Sequence, residues 1–376
     1  VQGGPGTGKT AVALHRIAYL LYAHRERLER SGVLLVGPSR LFLRYIEQVL
    51  PSLGETGVVS VTVGDLVPGV HARAEDDEAV ARIKGLPAWA KIVKEAVRSL
   101  AKLPEGDQVL RVWNREVTLS RSDVETARRR AKRSGRAHNV ARESFARELM
   151  DVLALRLARE AGDADSEGGV DPEVKRSWLI EIRDSVDCRR AINTAWMPTS
   201  AGTLLRRLYA RPEVLAAANR KAGSPLRPDE LAALVRPRSA PWTVSDVPIL
   251  DECEELLGPM PTSSASSRET DEGAVERARE AIEAQNLGGG IVTAQMLADQ
   301  VTGQDSWTPL SERAAKDRTW AYGHIVVDEA QELSPMAWRA LLRRCPSRSF
   351  TVVGDLDQRR GNKRPPTWEK ALGPAA

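Results

Sequence analysis

The feature that most constrains this chain is an octapeptide near its start that fits the pattern G-x-x-x-x-G-K-S/T. Its residues are Gly3, Gly4, Pro5, Gly6, Thr7, Gly8, Lys9 and Thr10. Glycines let the backbone curl so that successive N–H groups point at phosphate oxygens, a shape that most side chains would block. In this pattern the ammonium of Lys9 meets the β- and γ-phosphates, and the hydroxyl of Thr10 holds Mg²⁺. The octapeptide therefore predicts a site for a nucleoside triphosphate.

The residues after the octapeptide have the pattern of an amphipathic helix. Apolar side chains recur at helical spacing, and they are Leu14, Ile17, Ala18, Leu21 and Leu28. We expect this helix to end at Gly32 and to direct the positive end of its dipole at the bound phosphates. A glycine-rich turn with a chance lysine is the alternative, and these flanks disfavour it.

The octapeptide lies close to the start of the chain. A phosphate-binding loop of this kind follows a strand, yet only Val1 and Gln2 precede Gly3, and the first residue is not Met. We therefore expect the sequence to be part of a longer protein. We also expect this part alone to bind and hydrolyse a nucleotide poorly.

Composition excludes several classes of protein. The 376 residues contain no run of 18 or more apolar residues, so the sequence predicts no membrane span. The cysteines, Cys188, Cys253 and Cys345, form no C-x-x-C pair, which disfavours a zinc site or a disulfide framework. We expect a cytoplasmic protein that has no membrane partner.

Charge is distributed unevenly along the chain. Between Arg111 and Arg147, eleven Lys or Arg stand against four Asp or Glu, a net charge of +7. Between Asp251 and Gln285, ten acidic residues stand against three basic ones, a net charge of −7. Such blocks are typical of proteins with large charged partners, although a solvated helix face is at least as good an interpretation of either one.

The order of patterns predicts an α/β fold in which a parallel sheet is interrupted by a large, mainly helical insertion. Residues 1–70 alternate helix and strand, which is typical of a parallel sheet. Long charged helices dominate residues 71–245, which we assign to the insertion. Residues 246–376 return to the sheet, with a flexible loop expected near 259–273.

Several local elements are predicted within these ranges. The expected strands are 33–36, 58–63, 109–112, 117–119, 325–327 and 350–353. A helical face is expected from Phe42, Tyr45, Ile46, Val49 and Leu50. Another helix is expected to start at Ser122, with Glu125 completing its capping box. A third helix, packed on the sheet, is expected from Leu250, Cys253, Leu256 and Leu257.

Two of the expected strands end in acidic clusters. The first is followed by Asp328, Glu329 and Gln331, and the second leads to Gln358. Ligands of open parallel sheets bind at the carboxyl ends of strands, so both clusters are expected in reach of the phosphates. Asp328 is the candidate ligand of Mg²⁺, and Glu329 is suited to orient and deprotonate the attacking water. Gln331 and Gln358 are amides that could sense the γ-phosphate.

The spacing of these residues bears on the position of the insertion. Thr10 and Asp328 are 318 residues apart, more than twice the distance that a plain domain of this kind needs. The helical insertion is therefore expected inside the nucleotide-binding domain.

Four segments together resemble a known family. GGPGTGKT, VLLVGPSRLFLRYIEQVLP, VVDEAQ and VVGDLDQ are similar to motifs I, Ia, II and III of superfamily 1 helicases of the UvrD/Rep type. A closer likeness is to the HelD-type ATPases, helicase-like proteins that bind bacterial RNA polymerase. It rests on QGGPGTGKTAVALHRIAYLLY, FLRYIEQVLPSLGE, GHIVVDEAQELSPMAW and the late Trp368-Glu369. It covers roughly residues 1–70 and 320–376 and is weak in the insertion.

The resemblance implies a RecA-like domain that binds ATP and Mg²⁺ and hydrolyses ATP. It assigns Lys9 and Thr10 to phosphate and Mg²⁺, Asp328 to Mg²⁺, Glu329 to catalysis and Gln358 to coupling. It also implies a second RecA-like domain of the parent chain that supplies arginines to the nucleotide.

The sequence departs from the Rep-type pattern at two places that hold single-stranded DNA. Ser39-Arg40 replaces the Thr-Asn of motif Ia, and Arg359-Arg360-Gly361 stands where a base-stacking Tyr follows motif III. Stacking on aromatic rings is a main source of affinity for single strands, so these departures disfavour strand unwinding.

Three functions are compatible with these residues. The first is an ATP-driven remodeller of core RNA polymerase, in which residues 111–147 face nucleic acid or its channel and residues 251–285 mimic nucleic acid. The second is a DNA repair helicase that moves on single-stranded DNA. The third is a binding module in which ATP only sets the conformation, which Glu329 disfavours because a switch does not need that carboxylate.

Overall fold

The computed structural model describes residues 1–4, 6–49, 57–163, 169–261, 312–314, 317–358 and 367–368. The chain forms two units. The sheet unit contains residues 1–86, 241–248 and 262–376, and the helical unit contains residues 87–240 and 249–261. From position 262 onward, the loop expected near 259–273 lies outside the described residues.

Helices and strands alternate in the sheet unit, whereas the described part of the helical unit contains one strand pair among its helices. The first elements are α1 (Lys9–Ala23), α2 (Arg25–Ser31), β1 (Val33–Val36), α3 (Arg40–Val49), β2 (Val58–Val61) and α4 (Glu78–Lys84). There follow α5 (Ala88–Arg98), β3 (Gln108–Val112), β4 (Arg115–Leu119), α6 (Arg121–Arg133), α7 (His138–Ala161), α8 (Pro172–Asp184), α9 (Val186–Ala195), α10 (Ala201–Ala210), α11 (Pro212–Lys221) and α12 (Pro228–Ala233). The last are α13 (Val247–Leu257), β5 (His324–Val327), α14 (Pro335–Arg344) and β6 (Phe350–Val352).

The sheet unit is built on four parallel strands in the order β2-β1-β5-β6. Val33 of β1 lies beside Val58 of β2 on one side and beside His324 of β5 on the other. Every residue of β1 and β5 is buried, which explains why these segments are almost continuously apolar instead of alternating. The prediction of an α/β fold with a parallel sheet is confirmed. Strands β2 and β6 end one or two residues earlier than predicted.

Helices α1, α2 and α3 share one hydrophobic core with the sheet. Its buried members are Ala13, Leu14, Ile17, Leu21, Leu28, Val33, Leu35, Leu43, Ile46, Val326 and Val353. The helix predicted to run to Gly32 is interrupted at His24, whose backbone leaves the helical conformation with φ −123° and ψ 35°. A second short helix then carries Leu28 into the same core. The apolar periodicity survives the break, so the sequence pattern alone did not show it.

The face predicted for α3 is partly wrong. Ile46 is buried as expected, but Tyr45 is 62% exposed, and Leu43 takes the neighbouring core position. Leu43 and Ile46 are three residues apart and so lie on one side of the helix. Leu50 lies outside the described residues.

A buried ion cluster fixes the two places where the chain leaves and re-enters the sheet unit. The ammonium of Lys84, 1% exposed, lies 2.8 Å from the carboxylate of Asp76 and 2.9 Å from that of Asp246, which is 0% exposed. Thr243 accepts a hydrogen bond from Lys84 at 3.2 Å and donates one to Asp76 at 2.6 Å. A parallel bridge between Ala74 and Thr243 accompanies these contacts. Segments that are more than 150 residues apart are thereby held together within one unit.

The helical unit is organised around the hairpin β3-β4 and the helices that follow it. The two strands are antiparallel, with Leu110 opposite Val117, and they lie where strands were predicted at 109–112 and 117–119. Their inward side chains join a core with α6, α7, α8 and α9 that includes Val112, Leu119, Val124, Phe145, Leu149, Leu153, Ile182 and Trp196. None of the helices in the described ranges is both long and apolar enough to cross a membrane.

The capping box at the start of α6 is formed by a different pair of residues from the predicted pair. The structure has its capping box at Ser120 and Asp123, two residues before the predicted pair Ser122 and Glu125. The backbone N–H of Asp123 donates to the Ser120 hydroxyl at 3.2 Å, and the Ser120 N–H donates to the Asp123 carboxylate at 2.9 Å. Both pairs have the right spacing, but Arg156 of α7 also binds the Asp123 carboxylate at 2.6 and 2.9 Å. This contact between helices favours the earlier cap.

Helix α13 forms where a helix was predicted, but its assignment to the sheet is wrong. From Ile249 onward it belongs to the helical unit, where Ile249, Leu250, Cys253 and Leu257 are buried. The amide of Asn139 in α7 donates to the carbonyl of Gly258 at 3.1 Å and ties down the end of the helix. Amphipathic spacing identifies a buried face without identifying what covers it.

Candidate functional site

The octapeptide forms a loop that leads directly into α1. Gly6 and Gly8 have left-handed backbone conformations, with φ of 72° and 79°, which glycine reaches without strain. Gly3 permits a close approach, because a Cβ atom on it would lie 2.7 Å from Oγ1 of Thr7. That hydroxyl donates a hydrogen bond to the carbonyl of Gly4 at 2.9 Å, which fixes the width of the loop. The loop therefore has the tight curvature that its glycines predicted.

The first turn of α1 can receive an anion. Gly8 precedes this turn, no side-chain cap binds its N–H groups, and the turn contains no acidic residue. The N–H groups at a helix start lack partners within the helix, and the dipole adds partial positive charge there. A negative group is therefore favoured at this end. Of the eight predicted loop residues, Pro5 lies outside the described part of the chain.

Lys9, the first residue of α1, has its charge held against the loop. Its side chain is only 9% exposed, and its ammonium donates to the carbonyl of Gly3 at 2.5 Å. A phosphate oxygen is a stronger partner for an ammonium than a neutral carbonyl is. The contact therefore holds the ammonium of Lys9 beside the loop. A phosphate oxygen that entered the loop would replace the Gly3 carbonyl as its partner.

Thr10 and Asp328 meet although 318 residues separate them. The Thr10 hydroxyl donates to Oδ2 of Asp328 at 2.8 Å. Asp328 is 5% exposed, and burial raises the pKa of its carboxyl above the ordinary value, while the Thr10 hydrogen bond opposes that rise. Asp328 follows β5, and its N–H donates to the carbonyl of Val36 at the end of β1 at 3.0 Å. The pairing of the adjacent parallel strands β1 and β5 thus places the Asp328 carboxylate at the start of α1.

Glu329 has an unusual backbone and a directed side chain. Its φ of 48° and ψ of 44° lie in the left-handed region, which a residue other than glycine rarely adopts. Its N–H donates to Oδ1 of Asp328 at 3.0 Å, and its carboxylate accepts a 2.5 Å hydrogen bond from the amide of Gln331. The two neighbouring carboxylates therefore bind different partners: Asp328 binds Thr10, and Glu329 binds Gln331.

Gln331 connects this strand end to the next one. While its amide nitrogen donates to Glu329, its oxygen accepts from the backbone N–H of Asp355 at 2.9 Å. The Asp355 carboxylate accepts in turn from the side-chain amide of Gln358 at 2.8 Å. Gly354 permits this packing, because a Cβ atom there would lie 2.4 Å from the Gln331 oxygen. A continuous chain of hydrogen bonds therefore runs from Glu329 to Gln358.

The segment that leads into the loop lies beside β6. Gln2 forms a parallel bridge with Gly354, and the N–H of Gly354 donates to the carbonyl of Val1 at 3.2 Å. The indole of Trp368 donates to the side chain of Gln2 at 3.0 Å. Strand β6 therefore lies between the segment that carries the loop and β5, which carries Asp328. The turn after β6 is consequently placed between the two halves of the site.

Ser39 and Arg40, which stand at the motif Ia position, are engaged within the sheet unit. The Ser39 hydroxyl accepts from the N–H of Phe42, and the Arg40 guanidinium donates to the Asp65 carboxylate. Burial opposes ionisation of Asp65, but hydrogen bonds from Arg40, His71 and Thr62 outweigh it and lower its pKa. Both residues are thus accounted for by local structure.

The oxygen atoms at this site fit a hard divalent cation. A threonine hydroxyl and a carboxylate, Thr10 and Asp328, lie in contact, and Mg²⁺ prefers oxygen ligands and keeps several waters. No group of three or more His, Cys, Asp or Glu that could hold a metal is found among the described residues. Two oxygen ligands from the protein suit an ion that completes its shell with water or phosphate oxygens.

The structure brings most of the predicted site residues together but leaves their roles as predictions. Direct hydrogen bonds join Thr10 to Asp328 and Gln331 to Glu329. Gln358 is exposed, and Asp355 connects it to the others. Sequence reasoning did not assign Asp355 a role. The one available signal was that it directly follows the glycine of the second acidic turn.

Comparison with known proteins adds no family to this description. No protein-family model matches the chain, and no curated protein is significantly similar to it.

Proposed function

We propose that this chain is the ATP-binding and ATP-hydrolysing core of a helicase-like motor that remodels or releases bacterial RNA polymerase. The observation that carries the ATPase proposal is the hydrogen bond between Thr10 and Asp328. It joins the residue that follows the glycine-rich loop to an acidic strand end, although the two are 318 residues apart in the chain. A site for a triphosphate and Mg²⁺ needs a hydroxyl and a carboxylate close to the loop. The loop, the parallel sheet and the order of its strands support a RecA-like, P-loop type of fold.

In this proposal, the loop and Lys9 hold the triphosphate. The backbone N–H groups of the loop and of the first turn of α1 bind phosphate oxygens, and Lys9 leaves the carbonyl of Gly3 for the β- and γ-phosphates. Gly6 and Gly8 are exposed, and no neighbouring atom lies within 4 Å of the position that a Cβ atom would take on either one.

Thr10 and Asp328 would hold Mg²⁺, which when bound neutralises charge on the β- and γ-phosphates. The Thr10 hydroxyl would rotate so that its oxygen, instead of its proton, faces the ion. The Asp328 carboxylate keeps its second oxygen on the N–H of Glu329, which fixes its orientation.

Glu329 would activate the attacking water. Its carboxylate orients the water and accepts one proton while the water oxygen bonds to the γ-phosphorus and the bond to the ADP oxygen breaks. Gln331 holds one carboxylate oxygen at 2.5 Å, which leaves the other free to face the water. The products are ADP and inorganic phosphate.

Gln358 would report the state of the γ-phosphate. Its amide is held by Asp355, whose N–H binds Gln331, and Gln331 binds Glu329. A change in the phosphate contacts at Glu329 can therefore reach the exposed turn after β6 through three hydrogen bonds. Coupling of hydrolysis to movement needs such a link.

The choice of RNA polymerase as the partner rests on the resemblance to HelD-type ATPases. Two observations support it over a helicase that moves on single-stranded DNA. Ser39 and Arg40 make internal contacts in place of the Thr-Asn that would hold a strand. Residues 359–361 carry no aromatic side chain for stacking. The DNA helicase therefore remains the second candidate.

The test is ATP hydrolysis by the full-length protein. Core RNA polymerase and single-stranded DNA are added in separate reactions, and the Glu329→Gln variant is the control. We expect polymerase to stimulate hydrolysis and to be recovered with the protein in a pull-down. We expect Glu329→Gln to lose about 100- to 10,000-fold in rate.

Each of the other outcomes removes a part of the proposal. Strong stimulation by single-stranded DNA alone would identify a DNA helicase. Hydrolysis that is equally slow in the wild type and in Glu329→Gln would indicate a binding module in which ATP only sets the conformation. Failure to recover polymerase would exclude it as the partner.

A further inference from the structure

The basic block 111–147 lies entirely in the helical unit, and the structure divides its cations into two groups. One group binds backbone carbonyls, an amide oxygen or carboxylates of the same unit and comprises Arg111, Arg115, Arg121, Arg128, Arg130 and Arg142. The side chains of the other group make no hydrogen bond or ion pair within the described ranges, and they are those of Arg129, Lys132, Arg133, Arg136 and Arg147. Internal contacts account only for the first group.

The second group is concentrated at one end of a helix. Four of its five members are exposed on the last turns of α6 or just after it: Arg129, Lys132, Arg133 and Arg136. Helix α6 contains no aromatic residue, and its buried positions, Val124, Ala127 and Ala131, lie on the opposite side. The exposed side of this helix end is therefore almost wholly cationic.

A cation from another helix joins this group. The Arg128 guanidinium donates to the carbonyl of Ala101 at 3.4 Å, which brings α6 against the chain that follows α5. Arg98, the last residue of α5, is exposed and lies three residues before Ala101 in the chain. Because Arg98 lies outside residues 111–147, the sequence block did not contain it. We call Arg98, Arg128, Arg129, Lys132 and Arg133 the α6 basic surface.

Like charges oppose one another within the α6 basic surface. The pKa of Lys132 is lowered, first by partial burial and then by the charges of Arg128 and Arg98. Cations are favoured at the C-terminal end of a helix, but that effect is confined to the last turn. The dipole of α6 does not account for Arg98 or Arg128, because Arg98 lies in the last turn of α5 and pairs with Glu95, and Arg128 donates to the carbonyl of Ala101.

Two carboxylates belong to the same surface and do not neutralise it. Glu95 forms an ion pair with Arg98 at 2.7 Å, and Glu125 is exposed one helical turn before Arg129. Five cations thus stand against two carboxylates. An extended anion that brings several negative charges would relieve the remaining repulsion.

We propose that the α6 basic surface binds the phosphate backbone of double-stranded nucleic acid, independently of ATP. Arginine guanidinium groups bind phosphates with paired hydrogen bonds, and four of the five cations are arginines. A duplex presents phosphates at high density along both strands, which matches a row of cations on one helix end.

The composition of the surface favours a duplex over other anionic partners. Protein interfaces depend on buried aromatic or apolar anchors, and α6 presents none among its exposed residues. Single strands gain affinity by stacking on aromatic rings, which α6 also lacks. Contacts limited to phosphate are sequence-independent and strongly dependent on salt.

The experiment measures fluorescence anisotropy of a labelled duplex of about 24 base pairs, titrated with the full chain without nucleotide at several salt concentrations. The test variant is Arg129→Glu/Lys132→Glu/Arg133→Glu. The matched control, Arg176→Glu/Arg183→Glu/Arg190→Glu, makes the same charge change at exposed residues of α8 and α9. Arg129→Lys/Arg133→Lys keeps the charge and tests whether charge alone suffices.

We expect the test variant to weaken duplex binding by about tenfold or more and to reduce the slope of log affinity against log salt by about three. The control should lose clearly less affinity, and the affinity of the lysine variant should lie between those of the wild type and the test variant, since it keeps the charge but loses the paired hydrogen bonds. The proposal is overturned if the test variant and the control lose equal affinity. It is also overturned if poly-glutamate of equal charge competes as well as unlabelled duplex, since an acidic protein would then be the better partner. ATP hydrolysis plays no part in these readouts, so they do not depend on the ATPase proposal.

Discussion

The amide of Gln331 donates a 2.5 Å hydrogen bond to the carboxylate of Glu329 and at the same time accepts one from the N–H of Asp355. Two strand ends, 324–327 and 350–352, are therefore linked through a single buried side chain. The glutamate proposed to activate water is held in place by a residue that belongs to the same acidic cluster. This relationship makes Gln331 a positioning residue in the proposed mechanism.

Replacement of Gln331 tests this positioning role. Gln331→Leu removes a hydrogen bond to a charged group, and we expect kcat to fall about 10- to 100-fold. The affinity for ATP should change little, because Gln331 does not belong to the loop. Steady-state kinetics of the full-length protein separate kcat from KM, and a nucleotide-binding titration checks the affinity. Equal losses in kcat and in ATP affinity would instead indicate general damage to the site.

Neutralisation of Asp328 tests the proposed metal contact. Asp328→Asn keeps an oxygen that can accept from Thr10 but removes the charge, so we expect ATP hydrolysis to fall by at least about 100-fold. Without nucleotide, the variant should unfold at the same temperature or slightly higher, since a largely buried charge is removed. Thermal unfolding with and without Mg²⁺ and ATP measures both effects. Unchanged hydrolysis would contradict the assignment of Asp328.

The ion cluster around Lys84 makes a prediction about stability. Lys84→Met would leave the carboxylates of Asp76 and Asp246 facing each other without their cation, and we expect a loss of about 3–5 kcal/mol in the free energy of unfolding. Lys91→Met, at an exposed position of α5, is the control and should change stability by less than about 0.5 kcal/mol. Urea unfolding of both variants gives the comparison. Similar losses would show that the buried cluster contributes little.

The contact between Arg156 and Asp123 predicts a dependence of stability on pH. Burial opposes ionisation of Asp123, but hydrogen bonds from Arg156 and Ser120 outweigh it and lower the pKa of the carboxyl. A lowered folded-state pKa contributes stability that is present above the unfolded value, about 4, and is lost as pH falls through the folded value. Arg156→Ala should therefore lower the unfolding temperature at about pH 7 and have a smaller effect at about pH 3.

The control for this prediction is Arg159→Ala, which removes an exposed cation one turn further along α7. It should show little difference between the two pH values. A loss for Arg156→Ala that is as large at pH 3 as at pH 7 would mean that packing, not the carboxylate, is responsible.

Local patterns predicted much of the fold. The buried strands at 33–36 and 324–327, the hairpin and the apolar stripe of α1 follow from the spacing of apolar residues, because each element must bury one side. The cap of α6 and the face of α3 were misjudged. In α6 two capping pairs satisfied the local pattern, and the contact of Arg156 with Asp123 favoured one. In α3 Leu43, and not Tyr45, joins Ile46 in the core.

The sequence by itself determined the components of the site: a glycine-rich loop that tolerates left-handed backbone, a lysine and threonine at fixed spacing, and acidic residues directly after apolar strands. These are local properties, written in the identity and order of neighbouring residues. Only the tertiary structure decided that Thr10 meets Asp328, that Asp355 links Gln331 to Gln358, and that Arg98 joins the cations of α6. Such contacts arise from the order and register of the strands and from helix packing, which depend on the sum of many weak interactions across the whole chain.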